Sequence, residues 1–209
     1  MSLFKRKPWT GKTELLFSDK ALTALILPLF LEQLLSVLVG LSDSIMVAQV
    51  GEAAVSAVSL VDSIAILLIN IFNALATGGA VVSGQYLGAK DKKEAAYAGR
   101  QMMQFMVWMS IAIMLLIYLG KYFILHTVFG SIEADVMANC NTYLLISAAS
   151  IPFLGVYCGG AALFRAMGNS KTSMYVSCIM NVINVSGNAI LVFGFHRGVE
   201  GVAIPTLLS

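Results

Sequence analysis

Apolar residues run along this chain in long blocks separated by short polar connections. Five blocks, at about 22–47, 55–83, 102–123, 136–164 and 173–195, each reach the roughly 20 mainly apolar residues that carry a helix across a bilayer. A sixth starts near Val199 and stops at Ser209, too short to cross. The expectation is therefore a chain that ends inside an element, as a fragment or truncated reading frame would. The connections carry turn chemistry. Gly84 and Gly88 precede a charged, helical lead into the third block, Gly168 and Asn169 can adopt positive φ, and Gly194, Gly198 and Gly201 punctuate the last connection. Pro28 falls inside the first block, where it removes a backbone hydrogen bond and tends to kink the helix, either statically or as a hinge between states. The pattern predicts an all-α integral membrane protein, with residues 1–20 as an N-terminal segment. Residues 21–209 form one transmembrane lobe of five spans plus the start of a sixth.

Composition narrows the class. Charged residues make up 11% of the chain against roughly 25% in soluble domains, and with 58% hydrophobic residues and a mean hydropathy of +0.85 a soluble fold is excluded. The basic N-terminus superficially resembles a signal peptide, but the apolar run behind it is too long for one and stays as the first span. Charge placement sets the orientation. Lys5, Arg6, Lys7, Lys12 and Lys20 precede the first block, Lys90, Lys92, Lys93 and Arg100 lie between the second and third, and Arg165 and Lys171 lie between the fourth and fifth. Only Lys121 and Arg197 of the 13 basic residues fall on the other side. The positive-inside rule then places the N-terminus in the cytoplasm and the chain in the cell membrane as a multi-pass protein with the lipid bilayer around it. Cys140, Cys158 and Cys178 have no metal-ligand spacing and read as small hydrophobes.

Against this apolar background a few polar side chains stand out. Asp43, deep in the first block, is costly at bilayer depth and reads either as a cation or proton carrier or as a group near the outer helix end that reaches water. Glu32 lies eleven residues earlier, about three turns, and so shares its helix face. It either extends a polar track or serves as a neutral, hydrogen-bonded structural carboxyl. Asp62 and Asn73 repeat the eleven-residue spacing in the second block, with Thr77 a turn further on. They form either a substrate-lining face or a set of interhelical hydrogen bonds worth under about 2 kcal/mol each. Asn181, Asn184 and Asn188 share one face of the fifth block. Their amide oxygens suit a hard cation such as sodium, or a neighbouring carboxylic acid. The runs Gly78, Gly79, Ala80 and Gly159, Gly160, Ala161, Ala162 read as small-residue packing surfaces.

Several function classes drop out. No nucleophile–base or metal constellation accompanies His126 and His196, so no enzyme is expected, and no phosphate-cradling glycine loop points to ATP chemistry. The basic residues follow membrane sidedness without interleaved aromatics, so no nucleic-acid partner is expected. No cofactor is expected either, apart from a coupling ion.

With these residues in view the chain resembles the multidrug and toxic compound extrusion (MATE) transporters, from about Ala24 to Thr206. Pro28 and the segment Gly40, Leu41, Ser42, Asp43 resemble the first-helix signature. Gln85, Gly88 and Ala89 resemble the cytoplasmic segment after the second helix, and Arg165, Ala166, Gly168 and Lys171 the stretch after the fourth. Asn184 and Asn188 resemble the fifth-helix asparagine pair, and Gly198 to Thr206 the glycine–alanine lead into the sixth. The resemblance implies a twelve-helix fold of two six-helix lobes, of which this would be the N-terminal one, truncated early in its sixth helix and missing its C-terminal lobe. It also implies antiport by alternating access, driven by Na+ or H+, with export of small organic cations or amphipathic drugs. Asp43, Asn184, Asn188 and Thr206 match the cation site, the first three as ligands should the ion be Na+, and Pro28 matches the bending position. Glu32, Asp62, Asn73 and Asn181 remain substrate-lining candidates. Pro205 departs from the family, where alanine is more usual. Two alternatives stand beside this reading: a lipid-linked oligosaccharide flippase of the same broad superfamily, and a non-transporting membrane scaffold.

Overall fold

The computed structural model describes residues 19–130 and 132–209; most of the expected N-terminal segment, with Lys5, Arg6, Lys7 and Lys12, lies outside the described residues. Six α-helices follow in order: α1 (Asp19–Ala48), α2 (Glu52–Gly88), α3 (Lys92–Phe123), α4 (Ala134–Ala166), α5 (Ser170–Ala189) and α6 (Glu200–Leu208). Wider π turns, Ile124–Val128 and Ile190–Gly194, extend α3 and α5. Five of the helices are long and apolar enough to cross a membrane, as the five blocks predict.

The helices overrun the apolar blocks at both ends. Helix α2 begins at Glu52 and continues through Gly84 to Gly88, so neither glycine makes the turn expected of it. The chain reverses instead at Lys90, with φ of 63°, and Asp91 caps α3 by accepting from the Glu94 N–H at 3.1 Å. The second break follows expectation: Gly168 takes φ of 76°, and Asn169 caps α5 through the Thr172 N–H. Gly201 is another correction. It lies buried in the first turn of α6, where a Cβ would meet Arg197 Cβ at 3.0 Å, so close packing rather than turn formation explains it.

Helices α2, α3 and α4 pack as a triangle, α1 leans on α5 rather than on α2, and α6 fills the angle between α4 and α5. The buried stripe of α2, which includes Ala54, Val58, Val61, Leu68, Phe72, Ala76 and Ala80, recurs at steps of three, four or seven residues and faces the core. The outward face of α3 carries Trp108, Leu116 and Leu119 largely exposed. That inversion fits a protein whose solvent is lipid, where apolar burial drives no helix pairing and small residues permit close approach. Gly155 shows it: a Cβ there would sit 2.8 Å from Ser110 Cβ and 3.3 Å from the Met106 carbonyl. Gly79 and Gly159 pack similarly against Met102 and Met103, whereas Gly78 and Gly160 have no close neighbour. The cysteines are free, Cys140 and Cys158 buried among core side chains.

Candidate functional site

Asp43 sits half-buried in the C-terminal half of α1 and meets α5 directly. The Asn188 side-chain amide donates to Asp43 Oδ1 at 2.6 Å and to Asn184 Oδ1 at 3.1 Å. The Asn184 amide donates in turn to Thr206 Oγ1 at 3.3 Å, and the Thr206 hydroxyl donates to the Val202 carbonyl at 2.9 Å. The four residues matched to the cation site thus form one hydrogen-bonded run across α1, α5 and α6. Asn188 is fully buried, and its Oδ1 finds no hydrogen-bond partner among the described residues. An orphaned buried acceptor of this kind calls for an explanation in terms of water, an ion or a functional role. A donor set of carboxylate, amide oxygen and hydroxyl fits a hard cation or a proton.

Helix packing makes this run possible. Gly187 lies between the two asparagines, and a Cβ on it would sit 2.8 Å from Pro205 Cβ. The missing side chain lets α6 press its proline ring against α5 and brings Thr206 within reach of Asn184. Pro205, the departure from the family pattern, is therefore seated by Gly187 rather than displacing its neighbour.

Asp62 faces the same region from α2. Its Oδ1 accepts the Tyr143 hydroxyl at 3.2 Å. Asp62, Tyr143 and Asp43 together border a small pocket of about 110 Å³. Asp62 and Tyr143 also border a larger, half-open cavity of about 520 Å³ lined mainly by α2, α4, α5 and α6, within the range that holds drug-sized ligands. Thr206 lines that cavity as well. The polar run and the apolar cavity therefore share a wall.

Of the four substrate-lining candidates, only Asp62 reaches either pocket. Asn73, one turn past the cavity residues Leu68 and Ile69, is half-buried, and Thr77 beyond it is exposed. Asn181 lines neither pocket and keeps a buried amide nitrogen without a partner among the described residues. Glu32 belongs to a different arrangement. Its Oε1 accepts from the Tyr157 hydroxyl at 3.1 Å, its Oε2 lies 3.1 Å from the Ser173 hydroxyl, whose one proton it shares with the Ser170 carbonyl at 3.0 Å, and Arg165 Nη1 stands 3.8 Å from Oε1. Pro28, one turn before Glu32, is buried inside an unbroken α1. Tyr143 and Tyr157 were not among the candidates. Their spacing of fourteen residues, close to four whole turns, puts both on one face of α4 and is the signal that could have revealed them.

The family model MatE matches residues 28–190, most of the chain. The chain is 28% identical to an uncharacterized transporter, YisQ, of Bacillus subtilis over 193 residues, which span 90% of this chain and 42% of that protein. It is 24% identical over 212 residues to the probable multidrug resistance protein NorM of Thermotoga maritima, covering 100% and 45% of the two. Against the multidrug export protein MepA of Staphylococcus saprophyticus the identity is 26%, covering 87% and 40%. Among solved structures, a MATE protein in complex with MaL6 superposes with a TM-score of 0.86 at 20% identity, over 90% of this chain and 42% of that one. The bent form of the Vibrio cholerae MATE transporter VcmN gives 0.82 at 23%, over 90% and 43%. At these identities the structures speak to fold, and the chain spans about two fifths of the length of the relatives it matches. From motif, helix order and fold together, the chain belongs to the MatE family and folds as one lobe of such a multi-pass membrane transporter.

Proposed function

We propose that this chain is the N-terminal lobe of a cation-coupled antiporter that exports amphipathic, often cationic compounds by alternating access. The observation that carries the proposal is the hydrogen-bonded run from Asp43 through Asn188 and Asn184 to Thr206, with one buried acceptor left over. Asp43 supplies the charge that a proton or Na+ neutralises, Asn184 and Asn188 supply neutral oxygens, and Thr206 supplies a hydroxyl. Because the run joins three helices, an ion arriving at Asp43 changes how α1 is held against α5 and α6. A ligand can shift such an equilibrium only by its differential affinity for the two arrangements. An ion favouring one and an exported compound favouring the other gives exchange, and the shared wall between run and cavity provides a place for the two to oppose each other.

Drug export is supported by the names of the relatives NorM and MepA. A cytoplasmic N-terminus is supported by the sorting of Lys90, Lys92, Lys93, Arg100, Arg165 and Lys171 to one side. Among the described residues the cavity lining includes no lysine or arginine, which disfavours a flippase that must hold a pyrophosphate. The test is drug efflux by cells expressing the transporter that contains this lobe. Asp43→Asn is expected to reduce coupled efflux sharply at unchanged expression. Normal export by that variant contradicts the coupling role.

A further inference from the structure

Among the described residues the large cavity is bounded by apolar and hydroxyl-bearing side chains, with one exception: Asp62 is the single charged side chain along its wall. We propose that Asp62 selects the ligands of this cavity by charge, admitting amphipathic cations and rejecting anions of the same shape. The inference rests on the reading of the lobe as part of an exporter of amphipathic compounds, and it deepens that reading by naming the residue that sets the class of compound.

The physical argument starts from the surroundings of the carboxylate. The buried side chains of Leu68, Ile117, Leu144 and Ile151 make the inner wall apolar, so the field of one carboxylate is weakly screened there. The Tyr143 hydroxyl holds Oδ1, while Oδ2 takes no hydrogen bond among the described residues and remains available to a positive group. Tyr143 and Tyr157 also line the cavity, and aromatic faces attract cations for the same electrostatic reason that they repel anions. A volume of about 520 Å³ accommodates a drug-sized body, so apolar contact supplies affinity and Asp62 supplies the choice of sign. Its position adds a second consequence. Asp62 also borders the small pocket with Asp43, so a cation drawn to Asp62 brings positive charge next to the ion cluster.

The experiment compares tetraphenylphosphonium and tetraphenylborate, ions of nearly the same size and shape with opposite charge. Both are bound to the purified full chain in detergent, with binding to protein-free micelles subtracted. The wild type is expected to favour the phosphonium by at least about tenfold, equivalent to about 1.4 kcal/mol. Asp62→Asn is expected to abolish this preference while binding the borate at least as tightly, which also reports that the variant is folded. If Asp62→Asn binds neither ion, Asp62→Glu decides: a retained preference supports the charge requirement and a lost one overturns it. Asp43→Asn is expected to lose ion-coupled efflux yet keep the phosphonium preference. Failure of the coupling reading thus shows in efflux, and failure of this inference shows in the binding ratio. A wild type without preference, an unchanged preference in Asp62→Asn, or a preference that disappears with Asp43→Asn overturns the proposal.

Discussion

Glu32 and Asp43 occupy the same face of α1, about three turns apart, and their surroundings differ in a way that separates structure from function. Around Glu32 both carboxylate oxygens meet hydroxyl groups, one of Tyr157 on α4 and one of Ser173 on α5, and the Arg165 guanidinium stands close enough to balance the charge. The group is satisfied by the protein itself and ties α1 to α4 and α5. Around Asp43 the donor is a neutral amide from Asn188, no cation of the protein is paired with it among the described residues, and a buried amide oxygen is left without a partner. One carboxylate has its countercharge built in. The other has only the neutral Asn188 amide against it and no countercharge among the described residues. The same residue chemistry on the same helix face thus serves as an anchor in one place and, in the function proposed above, as an ion site in the other.

The comparison can be broken by exchanging the properties that define it. The largest effect is expected at Asp43: replacement by asparagine removes the charge that the run surrounds, and coupled efflux is expected to fall by about a hundredfold or more, in line with loss of several kcal/mol of differential binding. Second is Gly187→Ala. Its added methyl would lie 2.8 Å from Pro205 Cβ, and overpacking of this kind costs about 1–3 kcal/mol. The thermal midpoint of the purified protein should drop, and efflux should weaken because Thr206 moves off Asn184. Third, Glu32→Gln is expected to lower stability by about 1–3 kcal/mol, through the loss of a charged partner for half-exposed Arg165 and the replacement of one of its two acceptor oxygens by an NH2 donor, while efflux stays coupled. Should Glu32→Gln uncouple transport as Asp43→Asn does, the division into anchor and ion site is wrong. The smallest effect is expected for Ser173→Ala. It removes one of the donors to Glu32 and should shift the midpoint by no more than the roughly 1 kcal/mol of a single hydrogen bond.

Much of this architecture is legible in the chain. The five spans follow from the length of apolar runs, and the shared face of Asn184 and Asn188 follows from helical period. What hydropathy does not register is the polar extension of helices beyond the apolar block. That is why α2 runs on through Gly84 and Gly88 and the reversal falls to Lys90, a residue without a special claim to positive φ. Period also assigns a residue to a face without saying which helix that face meets. The pairing of α1 with α5, on which the Asp43–Asn188 bond depends, is fixed by no spacing within either helix. The Tyr143–Asp62 bond joins residues from α2 and α4 that no local pattern relates. Thr206 was legible as a family position, but the reason it reaches Asn184 lies in the contact of Gly187 with Pro205, which only the packed helices reveal.

The central claim is that Asp43 holds an ion which an exported compound displaces. The most direct measurement follows ion release from the purified protein as tetraphenylphosphonium is added, using a pH indicator in weakly buffered solution and a sodium indicator in parallel. The wild type is expected to release one of the two ions as the compound binds, and Asp43→Asn is expected to bind the compound and release neither. Equal release from both proteins, or none from the wild type despite binding, contradicts the account.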